Sequence, residues 1–352
     1  MFEIKVFDTI YDENLKKDWI SLQNGEDMTA FQHYEWYCML EEEFNSNKMK
    51  KMFGKIQYYE VFENGNPVII APMHIQRHTL KIGPFGYEKG IYFLGMRGYS
   101  DYLNFIYTEI NDEQIDYLLK CLLDISVNKA LLLSELRDNS KISRVLSTGC
   151  IHANVERLNW ETCVNLEMPD SSEAFFKGMS KQFRQNYRTQ KHRCDNDGIA
   201  IEYVFHQGCF SEESVISEIL RIHEDRFDNK NKKNKAVKLS TLLSKIRGSF
   251  DEITYSLKND SDSWLLLGYI NNKLVSYIYG LSDDYAVRIM QLGFLKNYSK
   301  YSPGITILID YLLQNYEKYQ GKSIDFTRGD EAYKFRMGGT EHRISSFIVR
   351  KA

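Results

Sequence analysis

The stretch that decides the fold runs from Tyr301 to Phe335, YSPGITILIDYLLQNYEKYQGKSIDFTRGDEAYKF. Ser302 reads as an N-cap, and Pro303 falls at the first helical position, where its missing N–H does no harm; Gly304 follows. Ile305, Leu308, Ile309, Leu312 and Tyr316 recur at helical spacing as one apolar face, and Gly321 is expected to stop the helix. Ile324 and Phe326 then alternate with Ser323, Asp325 and Thr327, the pattern of a short half-buried strand. Arg328, Gly329 and Asp330 turn the chain into a second, short helix carrying Tyr333 and Lys334. A helix start presents free N–H groups and a positive dipole end, which suits a phosphate or another anion. An ordinary capped helix packed on a sheet has the same spacing.

Immediately upstream, WLLLGYINNKLVSYIYGLSDDYAVRIMQLGFL reads as a three-strand meander turning at Asn271-Asn272 and Asp283-Asp284; downstream, RISSFIVR is a final strand. Further back, Ser171-Ser172-Glu173 open a long helical region. Within it KQFRQNYRTQKHR sets Lys181, Arg184, Arg188 and Lys191 on one face, with Phe183 and Tyr187 on another. That basic stripe fits either an anion site or a solvated face. IEYVF is a strand, a helix follows from Ser211, Asp228 to Lys238 is a lysine-rich loop, and LSTLLSKIRGSF is a second helix.

The N-terminal part repeats this order. EIKVF is a strand and Asp12 to Asn24 a helix; Thr29 caps AFQHYEWYCMLEEEF. QYYEVFENGNPVIIAPMHIQRH is a hairpin about Asn64-Gly65, a pair that tolerates the positive φ of such turns. GPFGYEKGIYFLGMRGYSDY reads as a loop, LNFIYTEI as a strand, Asn111 as the cap of a helix through Leu123, ALLLSEL as a strand and Ser140 to Thr148 as a helix. VERLNWETCVNLEM alternates again. Matching YYEVFENGNPVIIAPMHI with LLLGYINNKLVSYIYGL suggests a duplicated α+β domain, with residues 1–155 and 156–352 as its halves.

Composition excludes several classes. With 352 residues and 43% hydrophobic content the chain can bury two cores, and a net charge of −3 argues against a polycationic nucleic-acid binder. No apolar run approaches the ~20 residues that span a bilayer. The N-terminus lacks the pattern of a signal peptide, and the six cysteines form no CxxC pair, so a reduced cytoplasmic setting without a metal site is expected. His192, His206 and His223 have no ligand spacing, and Ser100-Asp101-Tyr102 reads as a turn or a reach toward an acceptor groove.

TAFQHYEWYCMLEEEF, MSKQFRQNYRTQKHR, NYSKYSPGITILIDYLL and IDFTRGDEAYKFRMG, in this order, resemble GNAT-fold acyltransferases of the cellulose-biosynthesis acetyltransferase type, relatives of the FemABX peptidoglycan aminoacyltransferases. The resemblance spans nearly the whole chain. It implies two tandem GNAT-like domains, each a mixed sheet flanked by helices, with the acyl-donor site in the second. It further implies an N-acyltransferase that moves an acyl group, most simply acetyl, from acyl-CoA to a small-molecule amine such as an amino sugar or cell-envelope precursor. In such a domain two parallel strands splay, here Val287 to Phe294 and Ser323 to Thr327, and the donor bonds to backbone amides such as those of Gln291 and Leu292. The pyrophosphate then falls at Tyr301, Ser302, Pro303 and Gly304, with Arg184 and Arg188 as further phosphate ligands. Lys334, beside Tyr333, is implied as the oxyanion donor, with Asp325 and Arg328 flanking the strand end. GNAT enzymes commonly carry Gln/Arg-x-x-Gly-x-Gly/Ala in the phosphate loop, and Lys296 to Gly304 offers only Gly304 and a proline. Two alternatives stand beside this: aminoacyl transfer from tRNA, for which the long helical arm is missing, and a binding module that kept the fold.

Overall fold

Asn64 and Asn271-Asn272 turn their hairpins at φ 51°, 51° and 60°, the left-handed backbone that lets a two-residue loop follow the twist of its strands. The computed structural model that contains them describes residues 1–77, 80–82, 85–87, 89–96, 100–125, 130–149, 152–231 and 251–352. The expected helix 239–250 and most of the lysine-rich loop lie outside the described residues.

The strands are β1 (Phe2–Phe7), β2 (Gly54–Glu63), β3 (Asn66–Gln76), β4 (Leu80–Ile82), β5 (Phe85–Tyr87), β6 (Gly90–Phe93) and β7 (Ala130–Arg137). They continue as β8 (Ala153–Glu167), β9 (Ile201–Gln207), β10 (Ser263–Ile270), β11 (Lys273–Ser282), β12 (Ala286–Phe294), β13 (Ser323–Arg328) and β14 (Thr340–Lys351). Among the described residues, contacts divide the chain into two units, the first holding residues 1–161, 251–252 and 343–352, the second residues 162–231 and 253–342. The chain passes from one to the other inside β8, six residues later than the 155/156 boundary read from sequence. Its last ten residues belong to the first unit because β14 pairs antiparallel with β7, from Ile344↔Arg137 to Val349↔Leu131.

In the first unit the strand order is β1-β2-β3-β6-β7-β14-β8, mixed because β6 and β7 run parallel. Gly90–Phe93 is therefore a strand within what reads as a loop. LNFIYTEI is not a strand: only Ile106 bridges to Ile70, and Asn104 turns its side chain back onto the Phe105 N–H at 2.9 Å, competing with a ladder.

In the second unit the order is β8-β13-β12-β11-β10-β9, antiparallel except for β12 and β13. Alternation along the strands builds two cores. Leu266, Ile278, Ile289 and Ile324 face the helices Ser172–Gly178, Lys181–Asn196 and Pro303–Gln314. Leu265, Leu267, Tyr277 and Tyr279 pack with Ile216, Ile219 and Ile222 of the Glu213–Asn231 helix on the other face. Each buried Leu or Ile contributes about 1.5–3 kcal/mol.

Three local expectations need correction. The helical region after Ser171 is two helices, broken at Met179-Ser180, where Ser180 caps the second. The Pro303–Gln314 helix ends before Gly321, because Asn315 turns its side-chain amide onto the Tyr311 carbonyl at 2.9 Å. β13 is buried on both faces from Ile324 to Thr327, as befits a parallel central strand rather than a half-buried one.

Candidate functional site

The site is where two parallel strands stop pairing. β12 and β13 are in register at Ala286↔Ser323, Val287↔Ile324 and Arg288↔Asp325, and the pairing ends there although β12 runs on to Phe294 and β13 to Arg328. Both strands are irregular beyond that register. Against β11, Ile289 faces Gly280 and Gln291 faces Tyr279, leaving Met290 as the extra residue of a bulge. Against β8 the register shifts between Asp325 and Arg328, and Thr327 adopts φ 56°. A β-branched residue at positive φ is strained. Here its N–H donates to Asp325 Oδ1 at 2.7 Å and its hydroxyl to the Ile289 carbonyl at 3.2 Å, which holds it.

Charges fix both ends of this wedge. Arg288, 4% exposed, pairs with Asp283, and its Nε lies 3.5 Å from Asp325, itself 5% exposed. Asp325 is thus tied to Arg288 and to the Thr327 N–H and does not stand open to an incoming amine. Lys334 is 3% exposed, and its ammonium donates to the carbonyls of Arg328 at 2.8 Å and Gly329 at 3.1 Å while pairing with Glu331 at 2.8 Å. With a longer contact to the Thr327 carbonyl at 3.4 Å, they engage all three N–H bonds of the ammonium. The Lys334 head therefore clamps the turn after β13 and does not project into the gap. Tyr333 meets Phe326 edge-on with ring centroids 6.1 Å apart, and Arg328 is half-buried at the strand end.

The helix start after β12 lacks a side-chain cap. Ser302 occupies the N-cap position but at φ 46° and ψ 52°, with no side-chain capping bond; its hydroxyl instead accepts from Gln190 Nε2 at 2.8 Å. Pro303 sits at the first turn as expected. A Cβ on Gly304 would lie 2.8 Å from Leu292 Cδ2, so glycine lets the helix start approach β12 closely. The Tyr301 hydroxyl and the Lys300 ammonium both reach Asp197, at 2.7 Å each.

The two arginines of the basic stripe are engaged elsewhere. Arg184 donates to the Lys177 carbonyl at 2.6 Å and to that of Met179, and the Arg188 guanidinium lies 5.4 Å from the Phe176 ring centre. Of the stripe, Lys191 reaches the Pro303 helix, pairing with the buried Asp310, as do Tyr187 to the same carboxylate, Gln190 to Ser302, and Arg193 to the Lys300 carbonyl just before it at 3.2 Å. Burial and the Asp310 carboxylate push the Tyr187 phenol well up. Gln190 continues the Phe183–Tyr187 face, one helical turn beyond Tyr187, and that spacing was the signal for it.

The other candidates are packing groups in their own units. Ser100 accepts from Trp36 Nε1 at 2.8 Å and the Tyr102 carbonyl from Gln32 at 2.7 Å. His206 donates to the Cys209 carbonyl at 3.0 Å, and His223 meets the Tyr277 hydroxyl at 2.9 Å. Among the described residues no cluster of His, Cys, Asp and Glu is arranged to hold a metal ion, and no helix is long and apolar enough to cross a membrane.

Residues 181–335 match the model of the family described as acetyltransferase (GNAT) domain. Comparison of the sequence with curated proteins returns no match. Among solved structures, a conserved protein of unknown function from Bacteroides thetaiotaomicron superposes with a TM-score of 0.58 at 11% identity, covering 99% of this chain and 100% of that one. FemX superposes with a TM-score of 0.57 at 10% identity, over 97% and 96% of the two chains. L-PGS from Bacillus licheniformis gives 0.50 at 9% identity, over 90% and 91%. Residues 181–335, which hold the parted strands and the uncapped helix start, thus match the acetyltransferase (GNAT) domain family, and the chain shares the fold of FemX along nearly its whole length.

Proposed function

We propose that the second unit transfers an acyl group from acyl-CoA to the amine of a small molecule, in the cytoplasm. The observation that carries this reading is the gap beyond Arg288↔Asp325, which ends at a helix start with no side-chain cap and no acid in its first turn. The fit to an acyl-CoA rests on that pair. Pairing of β12 with β13 ends at Arg288↔Asp325, and the parted strands beyond it, along the Gln291–Leu292 stretch, offer a path for an extended amide chain. The open first turn at Ser302, Pro303 and Gly304 offers N–H groups and a dipole end to a pyrophosphate.

When bound, the thioester supplies the activated carbonyl; the amine forms the C–N bond, the C–S bond breaks, and the amine's proton leaves. The residues of this chain hold the geometry. Arg288 with Asp325 and Asp283 sets where the gap begins, and Lys334 fixes the turn at its far edge. Because Asp325 is buried and paired, proton removal falls to water or to a group brought with the acceptor. An amino sugar or cell-envelope precursor is the acceptor class that fits the resemblance.

Titration of the protein with acetyl-CoA tests the reading. A ligand that binds only the folded state stabilises it by about 2.7 kcal/mol at a hundredfold excess over its Kd. Thermal melts should therefore rise with acetyl-CoA or CoA and stay put with AMP. No response to any CoA thioester would turn the reading toward an aminoacyl-tRNA donor or a non-catalytic module.

A further inference from the structure

The Pro303–Gln314 helix lies on the sheet face of Leu266, Ile278 and Ile289, so its anion-suited start belongs to that face. An extended ligand entering the gap there reaches the opposite face, which carries Tyr277 and Tyr279. Strict alternation after Ile289 would send Met290 to that opposite face and return Gln291 to the helix side. The bulge prevents this. Met290 packs with the Tyr277 core, and Gln291 also turns there, its Oε1 3.4 Å from the Tyr277 hydroxyl. A bulge that re-aims one side chain beside a gap is a device for placing a functional group.

The contacts continue outward. His223 Nδ1, from the Glu213–Asn231 helix, lies 2.9 Å from the Tyr277 hydroxyl, and Tyr277 is fully buried. A phenol has one proton to donate. Given to Gln291 Oε1, it leaves the phenol oxygen to accept from His223, a single consistent direction along the string. The Gln291 amide oxygen is then engaged, and its NH2 end faces away from Tyr277. Gln291 is half-buried, shielded enough for an N–H donor to matter and open enough for a ligand to reach it.

We propose that the Gln291 side-chain amide donates to the acyl carbonyl of the thioester, with Tyr277 and His223 as positioning residues that fix which end of the amide faces the gap. The assignment rests on the acyl-CoA reading above. In the transfer the amine nitrogen bonds to the carbonyl carbon, charge gathers on the carbonyl oxygen where Gln291 Nε2 donates, and the C–S bond then breaks to release the CoA thiol. The amine's proton passes to solvent.

The assignment separates acetyl-CoA from CoA, since only the former carries the carbonyl. In calorimetric titrations the wild type should bind acetyl-CoA about five- to tenfold more tightly than CoA, one good hydrogen bond's worth. Gln291→Met should keep the CoA affinity and lose the preference; Gln291→Glu, close in shape but without an N–H, should do the same. Thiol release from acetyl-CoA with hydroxylamine as the nucleophile should fall roughly a hundred- to thousandfold in Gln291→Met. Tyr277→Phe should lower kcat about fivefold with the donor KM unchanged, and add nothing in the Gln291→Met background. Wild type that binds both ligands equally, or variants that keep the preference and the turnover, would overturn the assignment and leave the donor reading intact. Wild type that binds neither ligand overturns the donor reading and this assignment with it.

Discussion

The two units carry the same crossover and finish it differently. In the first, β6 and β7 are parallel through Gly90↔Ala130, Ile91↔Leu131 and Tyr92↔Leu132, joined by the helix Asp112–Ile125. In the second, β12 and β13 are parallel over three registers and joined by Pro303–Gln314. The first helix start is closed: Asn111 and Gln114 exchange side-chain to backbone bonds at 2.9 Å each, and Asp112 and Glu113 fill the first turn. A closed, acidic start repels an anion. The second start has no side-chain cap, no acid, and a glycine pressed against Leu292. The last register also differs, Tyr92↔Leu132 in one and the ion pair Arg288↔Asp325 in the other. The duplicated frame is thus common to both units, and the capacity for an anionic donor lies in what only one of them leaves unsatisfied.

The largest way to break this contrast is at Arg288. Replacing it with Met leaves Asp283 and Asp325 buried without their cation, which costs about 3–5 kcal/mol. Urea denaturation should show the loss, and a change below ~1 kcal/mol would mean that the ion pair does not set the gap. Leu132→Met, at the equivalent register of the first unit, should change stability by less than ~1.5 kcal/mol.

Next comes a buried carboxyl that has no such cation beside it. Glu60 in β2 is fully buried, and burial, followed by Asp18 nearby, pushes its carboxyl from 4.5 up to about 8. The folded state then holds a proton that the unfolded chain gives up between those values. The contribution of this group should be full below pH 4.5, fall as pH rises to about 8 and level off, by up to roughly 5 kcal/mol. Chemical denaturation at pH 5 and pH 8 should show Glu60→Gln with a markedly shallower fall than wild type; equal slopes would remove Glu60 as the cause.

Gly304→Asp makes the second helix start resemble the first. It adds both a Cβ against Leu292 and a carboxylate at the anion site, and like charges so placed cost several kcal/mol. CoA affinity should fall about a hundredfold, read by calorimetry, while the far-UV circular dichroism stays as in wild type. Undiminished binding would place the donor away from this helix start.

Much of this contrast is readable from residues alone, because the signals are local. Asn64-Gly65 and Asn271-Asn272 announce their turns, and Asp12, Thr29, Asn111 and Ser140 take up the capping positions that their short side chains favour. Pro303 marks its helix start because its missing N–H does no harm in the first turn. What the sequence hides is register. That pairing stops after Arg288, that Met290 is the bulge, and that Asp325 turns to Arg288 all depend on strands brought together from distant positions. Lys334 reads as a reactive lysine until the turn at Gly329 folds three backbone carbonyls around it. The basic stripe divides in a way its spacing does not show: Arg184 and Arg188 turn to the Ser172–Gly178 helix, while Lys191, with Tyr187 and Gln190 of the neighbouring face, reaches the Pro303–Gln314 helix or its cap.

The smallest effects are expected on that stripe, and they sharpen where the anion site ends. Arg184 holds the carbonyls of Lys177 and Met179 at the end of the Ser172–Gly178 helix, so Arg184→Gln should lower stability by about 1–2 kcal/mol. Arg188 lies over Phe176 on an exposed face, where such a contact contributes about 0.5–1 kcal/mol. Neither guanidinium is directed at Ser302, and neither substitution should alter CoA affinity by more than about twofold at low salt. Arg193 is different, since it donates to the Lys300 carbonyl one turn before the helix start. Arg193→Gln removes a positive charge near that end and should weaken CoA about threefold, with the difference fading as salt rises. Calorimetry on the three variants at two salt concentrations separates the cases. A larger loss from Arg184→Gln or Arg188→Gln than from Arg193→Gln would move the phosphates toward the stripe and away from the open helix start.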